Sequence, residues 1–320
     1  SLHVPAELLK TRHHHPYLHL SPLKFIFIFL IIILIIPPLS LYYSIDYSTS
    51  LLSDSYAAIE QGSPETAKQL AQKSHDSLIL SRSLVQFNKK IFFFLFQNRF
   101  DQYDQYLDLG SRLAQVVITA SDAVNNAQEL YQIITGQSYF DFNETNSELA
   151  NHLDALRTQV SLTQASIDKL EINSNFSGIN QLNTLKNKLP DLHQQIELGL
   201  NLSKILPKVI NQPEPKTYLM LIQNNSELRP TGGFIAAYSL LTFKDGRLID
   251  VETIDVYSAD AQLNGQVNPP EPIKTNLGES NWYLRDSNWS PHFPSSAQQA
   301  EWFLNKELNS RYFHQLDFHK

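Results

Sequence analysis

The chain has 320 residues, a net charge of −7 and no cysteine. That length accommodates two ordinary domains. The missing thiols exclude disulfides, thiolate zinc sites and a cysteine nucleophile, and the mild acidity argues against a nucleic-acid partner, which wants a basic face.

In chain order, residues 1–24 form a basic tail in which Lys10, Arg12 and Lys24 stand with His13, His14 and His15 against one acid, Glu7. Residues 25–36 then read FIFIFLIIILII, an unbroken aliphatic and aromatic run. As a helix this run covers about 18 Å, short of the roughly 30 Å hydrocarbon core, whereas extension through residue 45 gives about 31 Å. Each Ile, Leu or Phe favours the bilayer by about 0.3 to 0.6 kcal/mol, so the run contributes about 4 to 7 kcal/mol. Pro37 and Pro38 predict a kink rather than an exit. A transmembrane helix is therefore expected over residues 25–45. Tyr42, Tyr43 and Tyr47 suit the outer interface, and the basic flank keeps the N-terminus in the cytoplasm. No A-x-A cleavage pattern follows the run, so the segment reads as an uncleaved signal-anchor. Everything from about Ser44 onward is expected on the extracytoplasmic side of the cell membrane.

Residues 46–210 repeat apolar positions at spacings of three and four, which predicts a helical-bundle stalk. Gly62-Ser63-Pro64 ends one helix and starts the next: Ser63 suits the N-cap, Pro64 the first turn and Glu65 the positive helix start. Further helices are expected over residues 112–135, 146–171 and 181–206, with Pro190 as a break or kink in the last. Residues 91–96, IFFFLF, are too short to span a bilayer and read as a buried packing face in preference to a dip into the membrane surface. Ser166 and Lys169 share the S-x-x-K spacing of penicillin-recognising enzymes, but no S-D-N or K-T-G partner follows, so they read as a solvated helix face.

Composition changes at Asn211-Gln212-Pro213-Glu214-Pro215, and residues 211–320 read as a mixed α/β domain. Strands are expected over residues 217–223, 234–243 and 247–256, the last two joined by a hairpin turn at Lys244-Asp245-Gly246. A slip in apolar phase between Val251 and Ile254 predicts a bulge. Residues 257–281 have no period and read as a long loop. A helix capped by Ser295 or Ser296 is expected to run to Leu308, followed by a strand over residues 312–318. The chain stops inside that strand, so a continuation beyond Lys320 is expected. The expected fold class is thus α+β: a transmembrane helix, a helical-bundle stalk and a mixed α/β sheet domain truncated at its C-terminal end.

Two polar stretches interrupt this domain: Asn224-Asn225-Ser226-Glu227-Leu228-Arg229-Pro230-Thr231-Gly232-Gly233, and residues 282–294, which contain Arg285-Asp286-Ser287-Asn288. Both closely resemble the bacterial domain-of-unknown-function family 4012, whose members join a membrane helix and a helical stalk to such a domain. A weaker likeness is to the LytR–CpsA–Psr envelope transferases, which move glycopolymers from polyprenyl-pyrophosphate carriers to the cell wall. That second resemblance implies arginines on phosphates and acids on magnesium. Its arginine–aspartate strand motif has no counterpart, because Ile254-Asp255-Val256-Tyr257 lacks the arginine.

Arginine's planar fork grips phosphate in a bidentate manner, and Gly-Gly can turn backbone N–H groups toward an anion. The candidate anion site is therefore Arg229, Gly232, Gly233, Arg285 and Asn288, and the candidate Mg²⁺ ligands are Glu227 and Asp286. The bland alternative is a tight turn at Pro230-Thr231-Gly232-Gly233 and a structural ion pair between Arg285 and Asp286. No phosphate loop, zinc helix, EF-hand or nucleophile elbow is present. The expected function is an envelope protein that binds or transfers a lipid-linked glycan or cell-wall polymer. The competing expectation is a non-catalytic scaffold or receptor that self-associates through its stalk.

Overall fold

The computed structural model describes residues 22–170 and 179–307; within these, the side chains of 22–28, 30–34, 91–99 and 179–185 lie outside the described set. Four long helices come first: α1 (Pro22–Glu60), α2 (Pro64–Ile134), α3 (Phe142–Lys169) and α4 (Ile179–Ile210). α1 passes unbroken through Pro37 and Pro38, where the Ser40 hydroxyl donates to the Pro37 carbonyl at 2.8 Å. It stops at the expected Gly62-Ser63-Pro64 break. Ser63 occupies the N-cap of α2 with Pro64 after it, but its hydroxyl makes no cap hydrogen bond.

A straight α2 would hold Lys68 and Asp122 about 81 Å apart at 1.5 Å per residue. Instead the Lys68 ammonium lies 2.7 Å from the Asp122 carboxylate. His75 meets Ser111, Arg82 meets Asp104 and Asp108, and Lys89 meets Asp101. Every pair straddles the same stretch, so α2 is two antiparallel arms that reverse between Lys90 and Phe100. The first arm also pairs with α1 through a seam of small residues: Ser44 with Ser81 at 2.5 Å, and Ser48 with Ser77 at 2.7 Å. Ser48, Ser74, Ala67 and Ala71 are fully buried there. Side chains this small let two backbones approach closely, and Leu41, Leu78, Val85, Leu107 and Ala114 fill the space beside them.

The second arm packs on α3, and α3 on α4, around Leu109, Leu156, Val160, Ile167, Leu189, Ile196 and Leu200. α3 begins at Phe142, earlier than expected, because Asp141 caps it by accepting from the Glu144 N–H at 2.8 Å. α4 continues through Pro190 and Pro207, so the expected break at Pro190 is not made. Among the described residues the stalk is thus five antiparallel passes of helix.

Three strands follow: β1 (Lys216–Asn224), β2 (Phe234–Lys244) and β3 (Arg247–Asp255), in the order β1-β2-β3. Both pairings are antiparallel, so among the described residues the sheet of this α+β chain is a small three-stranded antiparallel one. The chain reverses at Asp245 (φ 49°) and Gly246 (φ 75°), the positive dihedrals of a two-residue hairpin turn. The bulge in β3 lies nearer this turn than expected. Thr242 pairs with Asp250 and Phe243 with Leu248, leaving Ile249 as the extra residue. The region expected as one long loop, residues 257–281, contains most of α5 (Val256–Asp260) and all of α6 (Glu271–Leu277), and a 3₁₀ turn at Leu284–Asp286 follows in the second polar stretch. α7 (Phe293–Glu307) then packs Ala300, Phe303 and Leu304 on Ile235, Tyr238 and Leu240 of β2. The strand expected over 312–318 lies outside the described residues.

The sheet is fixed to the far end of the stalk. The Tyr218 hydroxyl donates to the Val209 carbonyl at 2.5 Å, and the Gly246 and Asp245 N–H groups donate to Ile210 and Gln212. Phe243 joins a cluster of Leu130, Ile133, Phe142 and Ile210. Among the described residues no helix is long and apolar enough to cross a membrane. The apolar run at 25–36 lies in the backbone of α1, and most of its side chains are outside the described set.

Candidate functional site

The first polar stretch is a tight connection between β1 and β2. Asn224 accepts from the Ser226 N–H through its side chain at 3.0 Å and from the Glu227 N–H through its carbonyl at 3.2 Å. The Phe234 N–H then closes the loop on the Glu227 carbonyl at 2.9 Å. Gly233 is required on steric grounds, because a Cβ there would stand 2.2 Å from the Asn224 carbonyl oxygen. The second stretch is fastened onto the first. The buried Asn288 amide donates to the Gly233 carbonyl at 2.7 Å, and Thr231 donates to the Asn288 carbonyl at 3.3 Å.

This fastening brings Arg229, Arg285 and Asp286 together. Arg229 donates from Nε and Nη2 to the same Asp286 oxygen, at 3.2 and 3.0 Å. Arg285 donates from Nη1 to Asp260 at 2.9 Å and from Nη2 to Glu279 at 3.1 Å, while its Nε lies 3.5 Å from Asp286. Aromatic faces cover the guanidiniums: Tyr283 lies 4.2 Å from that of Arg285 and Phe234 5.4 Å from that of Arg229. Trp282, a sugar-stacking candidate by type, instead donates to the Asp286 carbonyl and meets Phe303 edge-on in the core.

The electrostatics follow from burial. Burial pushes the Asp260 carboxyl up from its ordinary range, and the hydrogen bond from Arg285 pulls it back. Burial works against the charge on Arg285, but Asp260 and Glu279 outweigh it and raise its affinity for the proton. Glu307 at the end of α7 is 1% exposed and accepts from the Leu284 N–H at 3.4 Å. Burial, with the nearby Asp260, pushes its carboxyl up to about 8. Glu307, Asp260 and Glu279 went unnoticed in the sequence because nothing in their spacing ties them to Arg285; only the fold does.

Two guanidiniums therefore face three carboxylates, Asp260, Glu279 and Asp286, and no surplus positive charge is left for a phosphate. Asp286 is occupied by both arginines. Glu227 is exposed, and its backbone rather than its carboxylate closes the loop. No group of three or more His, Asp or Glu able to hold a metal occurs among the described residues. Shallow depressions lie on α2, beside Val124, Tyr131 and Gln137, and on α4, beside Asp191 and Leu198, both on the stalk.

Residues 213–311 match a family model described as a protein of unknown function (DUF4012). This segment is a DUF4012 domain. No curated protein and no solved structure matches the chain. The DUF4012 segment opens just past α4 and contains the sheet, both polar stretches and α7. The weaker likeness to envelope transferases rests on Arg229, Arg285 and Asp286, which here bind one another.

Proposed function

We propose that the chain is a membrane-tethered, non-catalytic scaffold of the cell envelope that displays its DUF4012 domain at a fixed height. The observation that carries this reading is the joint between stalk and sheet. Three hydrogen bonds to backbone carbonyls, from Tyr218 of β1 and from Asp245 and Gly246 of the β2–β3 turn, and the Phe243 cluster hold the sheet to the end of α4 and to Gln212 just past it, so the domain does not swing on a free linker. The self-neutralised arginine cluster supports a structural role over phosphate transfer. The basic tail and the run at residues 25–36 support an anchor with a cytoplasmic N-terminus. Leu41 packs against α2 and Ser44 bonds Ser81, so the end of the expected anchor is held against the first arm of α2.

A specific feature favours self-association. Leu198, Leu202 and Ile205 of α4 are 60%, 51% and 54% exposed, at the four-then-three spacing of a coiled-coil seam. The occupant of that seam is the α4 of a second copy.

The rigid display is tested with spin labels, which a chain without cysteine takes at chosen positions only. Labels on Gln195→Cys and Asp250→Cys are expected to give one narrow distance distribution. A broad or multiple distribution would overturn the reading.

A further inference from the structure

The two edges of the three-stranded sheet are built differently. β3 carries devices that keep an edge from pairing: the Ile249 bulge and the acids Asp250, Glu252 and Asp255. β1 carries neither. Its ladder with β2 is regular from Lys216 to Ile222, and its sequence, KTYLMLIQN, has no proline and one charge, at its first residue. Among the described residues β2 is the only strand paired with β1, and no backbone N–H or carbonyl of 216–222 has a hydrogen bond outside that ladder. In an antiparallel pair every second residue turns its N–H and C=O away from the neighbour, so one side of β1 presents a row of unpaired groups.

The side chains of β1 are left open in the same way. Leu219 and Leu221 lean on the core under α7 but stay half-buried, while Ile235, Tyr238 and Leu240 of the central strand are buried. Met220 and Ile222 point to the opposite face of the sheet and are 43% and 38% exposed. Along its length the strand is close to a palindrome. Laid antiparallel on a copy of itself with Met220 opposite Met220, it sets Leu219 against Leu221, Tyr218 against Ile222, Thr217 against Gln223 and Lys216 against Asn224. Apolar residues meet apolar ones, polar residues meet polar ones, and no like charges are opposed. Centring on Leu219 would put Lys216 opposite Ile222, and centring on Leu221 would put Leu219 opposite Gln223. The hydrophobic pattern therefore selects one register.

We propose that β1 pairs with β1 of a second copy about a two-fold axis at Met220, making one six-stranded sheet in the order β3-β2-β1-β1-β2-β3. Such a contact is isologous: the same strand serves both copies, and only the two protected β3 edges are left outside. The axis runs perpendicular to the sheet, so both α7 helices stay on one face. The contact goes beyond the α4 seam, because it lies in the DUF4012 domain and forms whether or not the seam does.

The chain has no cysteine, so single replacements report the contact directly. Opposed residues of an antiparallel pair have Cα atoms about 4.5–5.5 Å apart, within the span of a disulfide. Met220→Cys is therefore expected to give a disulfide-linked dimer of the full chain under mild oxidation. Ile222→Cys, whose twin across the axis is four residues or about 14 Å away, is expected to stay unlinked. Chains with Thr217→Cys mixed with chains with Gln223→Cys are expected to link to each other, a second reading of the register that leaves Met220 in place. The Met220→Cys disulfide is expected to form equally in a Leu202→Glu background, where the α4 seam is broken; linking lost there overturns the inference and leaves the seam standing. A Met220→Cys thiol that reacts with a maleimide but never links means an open, unpaired edge, and the inference fails. A thiol that neither links nor reacts means that another segment or another protein covers β1, which overturns the second-copy assignment. Linking as strong at Ile222→Cys as at Met220→Cys reveals random collision and overturns the register.

Discussion

Replacing Asp286 by Asn separates a structural ion pair from a metal or phosphate site. Asp286 is 4% exposed, and one of its oxygens receives both Arg229 contacts at 3.2 and 3.0 Å. Arg285 keeps Asp260 and Glu279 when Asp286 is neutralised, so Arg229 is the cation left unpaired. Breaking a buried pair from one side costs about 3 to 5 kcal/mol. The Arg229 side chain keeps 19% of its exposure, so water reaches it and the lower end, about 3 kcal/mol, applies. All three tryptophans, Trp282, Trp289 and Trp302, lie in the DUF4012 domain, so urea unfolding followed by tryptophan fluorescence reports on this domain and not on the stalk. The midpoint is expected to drop with an unchanged slope. The double replacement Arg229→Met with Asp286→Leu is expected to recover most of the loss. A single variant within about 0.5 kcal/mol of the parent would refute the argument, since that is the range of an uninvolved surface position.

Glu307 makes the domain pH-sensitive. Its carboxyl is held near 8 when folded against an ordinary value of 4.5, so the folded state binds the extra proton. Its contribution is complete below about pH 4.5 and is lost as pH rises toward 8, and Glu307→Gln is expected to flatten that decline in the same fluorescence assay. Gly246→Ala places a Cβ 2.5 Å from the Phe142 ring at φ +75°, and is expected to cost about 1 to 3 kcal/mol and broaden the stalk-to-domain spin-label distances. Calorimetric titration with pyrophosphate and Mg²⁺ is expected to give no binding heat; binding abolished by Arg285→Ala would restore the phosphate reading. Leu202→Glu on the α4 seam is expected to lower the sedimentation mass of the full chain toward one copy.

The strands were readable because their cues are local. Asp245-Gly246 announces a tight hairpin, and the apolar run of β2 on both faces announces a central strand. Ser63-Pro64 marked the start of α2 for the same reason. The fold-back of α2 left no comparable sign, because residues 91–96 carry neither glycine nor proline and read as continuing helix. Asp141 was missed as a cap since the periodic apolar pattern is weak until past Asn146. The polar stretches stood out in the sequence as interruptions of the strands and helices, readable either as an anion and Mg²⁺ site or as a tight turn with an Arg285–Asp286 pair. Their chemistry was not legible, because an arginine awaiting phosphate and an arginine holding a carboxylate look identical until Asp260 and Glu279 come in from other elements.

The odd number of passes in the stalk has a topological consequence. A chain that enters at one pole and traverses the bundle five times must leave at the opposite pole, so the domain emerges about 50 Å away, the length of the second α2 arm at 1.5 Å per residue. Excising any two adjacent passes would keep that polarity, whereas excising one would fold the domain down onto the entry side. Parity, more than the length of any helix, determines which way the payload points.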